Sequence, residues 1–223
     1  MQEFLCEEAA RIENEQNAVT LAAVEQADER KRLAKQLVFP SELWNLSQFW
    51  YSDQTRVTLA EECARLANGG IIACLACPST YHALITDVGY DPALAYCFEY
   101  DHRFSIYGTS FIHYDYKSPL EFPAELRKQC AVVIIDPPYL QEDVLISTSV
   151  SMVALRAEQG HMIIATGLTM DGVITERLKM HQARFEPQHS NGLSNPFGTW
   201  TSFTSEEQPN SLLWKEGKSM RSE

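Results

Sequence analysis

The sequence has no apolar run approaching the ~20 residues that a membrane-spanning helix needs, and its first residues carry no short apolar core of a secretory leader. A cytoplasmic location is therefore expected. Neither G-x-G-x-x-G nor G-x-x-x-x-G-K-[ST] occurs, so nothing indicates a loop that cradles a pyrophosphate or triphosphate. Basic residues are few: 18 Lys+Arg stand against 30 Asp+Glu, a formal charge of −12. Nucleic-acid binders replace phosphate counterions with lysine and arginine, so DNA or RNA is not expected as the main partner, and a basic protein suits the field better. The six cysteines (6, 63, 74, 77, 97 and 130) lie mostly inside apolar segments and read as reduced core thiols. Cys74 and Cys77 have C-x-x-C spacing, but no second ligand pair stands where zinc would need one, so no metal is expected. None of His82, His102, His113, His161, His181 and His189 shows metal spacing, and none is assigned chemistry.

What remains is a chain of 223 residues with a hydrophobic share of 45% and an aromatic share of 10%, enough for one sizeable α/β domain. Residues 1–40 form a helical extension rich in Glu, Gln, Ala, Lys and Arg, with a loose apolar stripe at Leu21, Val24, Leu33 and Leu37. Residues 41–223 form the main domain. It begins with the aromatic block LWNLSQFWYS (43–52), and Ser52 is placed to cap a helix over 53–68 that stops at Asn68-Gly69-Gly70. Apolar runs at 71–76, 94–99, 111–114, 131–136 and 161–166 then alternate with helical segments at 79–88, 102–108, 121–129, 141–158 and 169–182. Such alternation predicts a mostly parallel sheet with helices on both faces. Two further strands, 183–187 and 199–204, flank the turn-rich HSNGLSNPFG and predict an antiparallel hairpin at one edge.

The stretch VVIIDPPYL (132–140) is the most unusual. A strand buried on both faces runs into a carboxylate followed by two prolines, which fix φ, supply no N–H and force their predecessors to be extended. Asp136, the Pro137 carbonyl and the Tyr139 ring are thereby set in a stiff corner at the strand's C-terminal end. In an open parallel sheet that edge holds the ligand. Glu99-Tyr100-Asp101 and Asp115-Tyr116 follow two other strands there, and Cys77-Pro78-Ser79 follows the first. An acid after the second strand suits a ribose diol. With no phosphate-binding loop, a nucleoside without phosphates fits best, and S-adenosyl-L-methionine is such a cofactor.

D-P-P-Y resembles the [DNS]-P-P-[YFW] motif of amino methyltransferases. WNLSQFWYS (44–52), IACLACPSTY (72–81), FEYDHRFSIYG (98–108), FIHYDYKSP (111–119) and VIIDPPYL (133–140) together resemble the eukaryotic lysine methyltransferases of translation elongation factor 1A. The resemblance covers about residues 43–203. It implies a seven-strand class I (Rossmann-like) methyltransferase fold, S-adenosyl-L-methionine as cofactor and elongation factor 1A as protein substrate. Asp136 and the Pro137 carbonyl would accept the two N–H bonds of the amine, with Tyr139 as a wall against the nitrogen. Glu99, with Asp101 as its alternative, would hold the ribose, Asp115 would meet the adenine, and Ala76 to Ser79 (with Pro78) would pass the methionine end. Pro78 and Ser79 replace the small glycines usual in that loop. The block Gln48-Phe49-Trp50-Tyr51 either lines the cofactor or lysine channel or anchors the helix at 53–68. Asn195-Pro196-Phe197, in the last loop, would face the protein substrate. Two competing expectations are an adenine-N6 methyltransferase acting on DNA or RNA, and a cofactor-binding scaffold without turnover.

Overall fold

A computed structural model describes residues 2–37, 39–192 and 195–215. Residues 193 and 194 of the turn-rich stretch and the tail 216–223 lie outside it. The branched run before Asp136 is a strand for a reason visible in its neighbours. β4 (Cys130–Ile135) lies between β1 (Ile71–Leu75) and β5 (Arg156–Gly167), parallel to both. Val132 and Ile134 pack into one core layer with Ile72, Cys74 and Leu59, while Val133 and Ile135 pack into the other with Ala73, Leu75 and Leu145. A strand covered on both faces needs an apolar side chain at every position, and burying each isoleucine is worth about 1.5–3 kcal/mol.

β2 (Ala95–Glu99) and β3 (Phe111–His113) extend the parallel sheet beyond β1. β7 (Phe197–Thr201) runs antiparallel on β5, and the short β6 (His181–Gln182) runs antiparallel on β7. The resulting order, β3-β2-β1-β4-β5-β7-β6, is the seven-strand Rossmann-like order that the resemblance implies. The winding reverses between β1 and β4, which opens a crevice beyond their C-terminal ends.

α1 (Gln2–Gln36), α2 (Asp53–Ala67) and α3 (Pro78–Thr86) cover one face, and α4 (Glu142–Leu155) and α5 (Asp171–Glu176) cover the other. The Ser52 hydroxyl accepts the Thr55 N–H at 3.3 Å to open α2, and Asn68 (φ +46°) closes it in the left-handed conformation, as the sequence indicates. α1 is one continuous helix whose last turns dock on the core. Ala34 is fully buried and Leu37 packs on the core, whereas Leu21 and Val24 are 64% and 53% exposed. No helix among the described residues is long and apolar enough to cross a membrane.

Several expected elements differ. Residues 102–108 form a 3-10 segment (His102–Ser110) broken at Gly108, and 121–129 keeps only the turn Ala124–Leu126, opened by Pro123 and closed by a left-handed Lys128. The helix expected over 169–182 ends at Glu176, because Gly172 and the branched Val173, Ile174 and Thr175 are weak helix formers and Lys179 turns left-handed. The strand expected at 183–187 does not form. The Ala183 N–H still meets Thr199 O at 2.8 Å, but those of Arg184 and Phe185 turn to Leu213 O, so the edge hairpin pairs at 181–182 instead. β5 begins five residues earlier than the apolar run at 161–166 and shifts register against β4. Gly160 sits in that shift, where a Cβ would come within 2.6 Å of Cys130 O.

Candidate active site

The strand ends surround a cavity of about 330 Å³ lined by residues from six segments of the chain, among them Trp50, Ala76, Glu99, Asp115, Asp136 and His189. At its floor the Asp136 N–H continues the β1 ladder to Leu75 O at 3.1 Å, and the prolines then turn the chain out. Tyr139 takes a left-handed conformation (φ +64°), a cost of about 1–2 kcal/mol for a side-chain-bearing residue. Two bonds to the aromatic block hold it there: its N–H to Ser47 Oγ at 3.2 Å and its hydroxyl to Asn45 O at 2.7 Å. Burial pushes the Asp136 carboxyl up to about 7, against a hydrogen bond from Tyr51 and with help from the charge on Glu99. The Tyr51 hydroxyl donates to Asp136 Oδ2 at 2.6 Å.

The two acids after β2 separate cleanly. Glu99 is buried yet lines the cavity, accepts the Asp101 N–H at 3.0 Å and is pushed up to about 7, chiefly by burial. Asp101 is outside the lining. Despite burial, Arg103 and Gln48 hold its carboxyl below the usual range, through bonds of 2.8 Å from Arg103 Nε and 2.9 Å from Gln48 Nε2. Asp115 lines the cavity and accepts the Lys117 N–H at 2.9 Å.

The first loop lacks glycine but keeps a glycine-like bend. Ala76 is left-handed (φ +53°), its N–H bonds Phe98 O at 2.8 Å, and α3 begins at Pro78 with no side-chain cap on its first turn. Ala76, Pro78 and Ser79 all line the cavity. A proline at the first helical position gives up an N–H that the helix does not use.

Trp50 lines the cavity; it donates Nε1–H to Pro40 O at 2.8 Å and meets Phe39 and Phe104 edge-on, contacts that lie outside the helix at 53–67. Tyr51 is buried outside the lining, beneath Asp136. Asn195 and Phe197 do reach the lining. His189, assigned no chemistry above, lines the cavity too, and its ring stands 5.1 Å from that of Tyr51 and 4.5 Å from that of Phe197. Burial pushes it down to about 4, so it is neutral near pH 7. Its signal in the sequence is topological: a loop entering an antiparallel β7 lies at the edge where the parallel strands end. Cys63, Cys74, Cys77, Cys97 and Cys130 are free and buried. Among the described residues no three metal-ligating side chains converge.

Residues 42–205 match the family model described as "Probable N6-adenine methyltransferase". The chain is 40% identical over 166 residues to "EEF1A lysine methyltransferase 1" of Mus musculus, covering 74% of this chain and 76% of that protein. It is 31% identical over 217 residues to "Protein-lysine N-methyltransferase EFM5" of Saccharomyces cerevisiae, covering 88% of each. Two solved structures match in fold alone, both at 12% identity and 79% of this chain. One is a branched-chain polyamine synthase mutein of Thermus thermophilus, at TM-score 0.56 and 62% coverage. The other is a putative RNA methyltransferase of Pyrococcus horikoshii, at TM-score 0.51 and 94% coverage. Sequence, strand order and the D-P-P-Y corner agree: the chain belongs to the methyltransferase family that contains the EEF1A lysine methyltransferases.

Proposed function

We propose that the chain is an S-adenosyl-L-methionine-dependent protein-lysine N-methyltransferase acting on translation elongation factor 1A in the cytoplasm, with the transferase in residues 41–223 and the extension in 1–40. The observation that carries it is a single cavity lined by Asp136 and Pro137 on one side and Glu99 and Asp115 on the other. The donor set suits the cofactor. Glu99 offers a buried carboxyl for a ribose diol, Asp115 suits an exocyclic amine, and the left-handed Ala76 with the first turn of α3 suits an amino-acid end. When bound, the cofactor supplies an electrophilic methyl group; the chain does the rest by placement.

A lysine with a free pKa near 10.4 loses about 4–5 kcal/mol in becoming neutral at pH 7, and a desolvated cleft reduces that cost. Its proton leaves to water before the amine docks. Asp136 and the Pro137 carbonyl then accept the two N–H bonds and aim the lone pair, an orientation worth several kcal/mol. The Asp136 carboxylate also stabilises the positive charge that grows on nitrogen. The Tyr139 ring, fixed by its bond to Asn45, adds cation–π attraction. Acting on adenine is disfavoured by the charge of −12, since a nucleic-acid site needs a basic rim.

The test is mass spectrometry of recombinant elongation factor 1A after reaction with cofactor. A methylated lysine with the wild type and none with Asp136→Asn is expected. Label entering nucleic acid and no protein would overturn the reading.

A further inference from the structure

We propose that Tyr51 is a positioning residue for methyl transfer: its hydroxyl occupies Oδ2 of Asp136 and leaves Oδ1, with the Pro137 carbonyl, as the pair of acceptors for the incoming amine. The inference rests on the lysine-transfer reading and deepens it. The bond is 2.6 Å, and among the described residues no other hydrogen bond is made to either carboxylate oxygen of Asp136. The phenol is held from both sides. The Ser190 N–H meets Trp50 O at 2.9 Å, the Ser52 N–H meets Gln188 O at 2.8 Å, and Tyr51 itself bridges His189. The residues on either side of Tyr51 are thus tied to the loop that precedes β7, and its ring packs on His189. Burial, the charge on Asp136 and their hydrogen bond all raise the phenol's own pKa, so it stays a donor at every working pH.

The geometric consequence concerns the count of acceptors. A neutral primary amine has two N–H bonds and one lone pair. Two fixed acceptors set the direction of that lone pair, whereas a third would admit a rotated pose with the lone pair off the transfer axis. Small misplacements of a reacting group cost up to about a hundredfold in rate. An electrostatic consequence follows as well. The groups facing Asp136 are Tyr51 from the aromatic block, Glu99 from the end of β2 and Cys77 from the start of α3, with His189 behind the phenol. Of these Tyr51 alone lowers the carboxyl's pKa, and Glu99 raises it. Without the phenol hydroxyl the carboxyl would ionise only at higher pH.

The experiment is Tyr51→Phe in the full chain, which keeps the ring and its packing. Three readouts are taken: kcat and KM against pH with elongation factor 1A, cofactor Kd, and the titration of Asp136 by carboxyl-carbon NMR. Expected are a fall in kcat of about ten- to a hundredfold near neutral pH, a smaller deficit at about pH 9 as the carboxyl ionises, an unchanged cofactor Kd, and an Asp136 titration moved to higher pH. An unmoved titration would refute the coupling, and a loss of rate equal at all pH values would reduce Tyr51 to packing. A wild type that methylates no lysine, with the titration still shifted, would instead sink the transfer reading and the positioning role that rests on it.

Discussion

Burial moves the carboxyls of Asp136 and Glu99 up to about 7, so both hold protons in the folded state that they would release when unfolded. Stability therefore falls as pH rises from the ordinary carboxylate range through about 7, because over that window the folded state binds more protons. Asp136→Asn removes one such charge while keeping an oxygen for Tyr51. It is expected to raise Tm at about pH 8 by roughly 2–4 °C, to give no gain at about pH 4, where the wild-type carboxyl is already protonated, and to lower kcat at least about a hundredfold. Thermal melts at both pH values and methyl-transfer rates check this. Glu99→Gln should weaken cofactor binding about ten- to a hundredfold, the worth of a charge-assisted hydrogen bond. Wild-type affinity should rise as pH passes through about 7 and the variant's should not, which calorimetry reads. Asp136 was legible because D-P-P permits little else at a strand end. The resemblance already puts Glu99 first with Asp101 as its alternative, but the bonds from Arg103 and Gln48 that hold Asp101 outside the lining leave no mark in the sequence. The Tyr51–Asp136 bond spans 85 residues, and no local pattern announces such a pair.

At the scale of elements, the segment from 41 to 52 ties the site together. It bonds the D-P-P-Y corner through Tyr51, Ser47 and Asn45, the loop before β7 through Trp50 and Ser52, and the loop after β2 through Gln48. Gln48 is the buried junction of the last link. Its Oε1 accepts from Leu43 N at 3.2 Å and Arg103 Nη2 at 3.0 Å, while its Nε2 donates to Asp101. Gln48→Ala leaves these partners unsatisfied, so a loss of about 1–3 kcal/mol is expected, read as a lower urea midpoint with unchanged slope. Cofactor should protect the wild type more than the variant. The parallel strands and α2 were legible because burial on both faces and a Ser cap with an N-G-G stop leave direct marks. The short α5 and the turn at 121–129 were not. Their apolar spacing imitates a helix, but Gly172, Pro123 and the left-handed Lys128 and Lys179 break it, and which of those breaks wins is decided by packing.

Across the whole molecule, function and support divide between the two edges of the sheet. The cavity lies beyond the C-terminal strand ends, whereas α1 docks near the strand beginnings. Arg30 bonds Pro92 O and Ser110 Oγ, each at 3.4 Å, and the Thr109 hydroxyl, all within three residues of the start of β2 or β3. Ala34 beside it is fully buried. If this docking only braces the sheet, removing it should cost stability and spare the chemistry. Arg30→Ala is expected to lower stability by about 1 kcal/mol, or roughly 2–4 °C in Tm for a chain of this size. Cofactor Kd and kcat should stay within about twofold of wild type, as for a site to which the side chain makes no contact. Melting curves and transfer rates on the same preparation separate the outcomes. A drop in Tm alone places α1 outside the site, whereas a drop in cofactor affinity in step with Tm would mean that the extension shapes the cavity through α3, the helix it packs against and whose first turn lines the site.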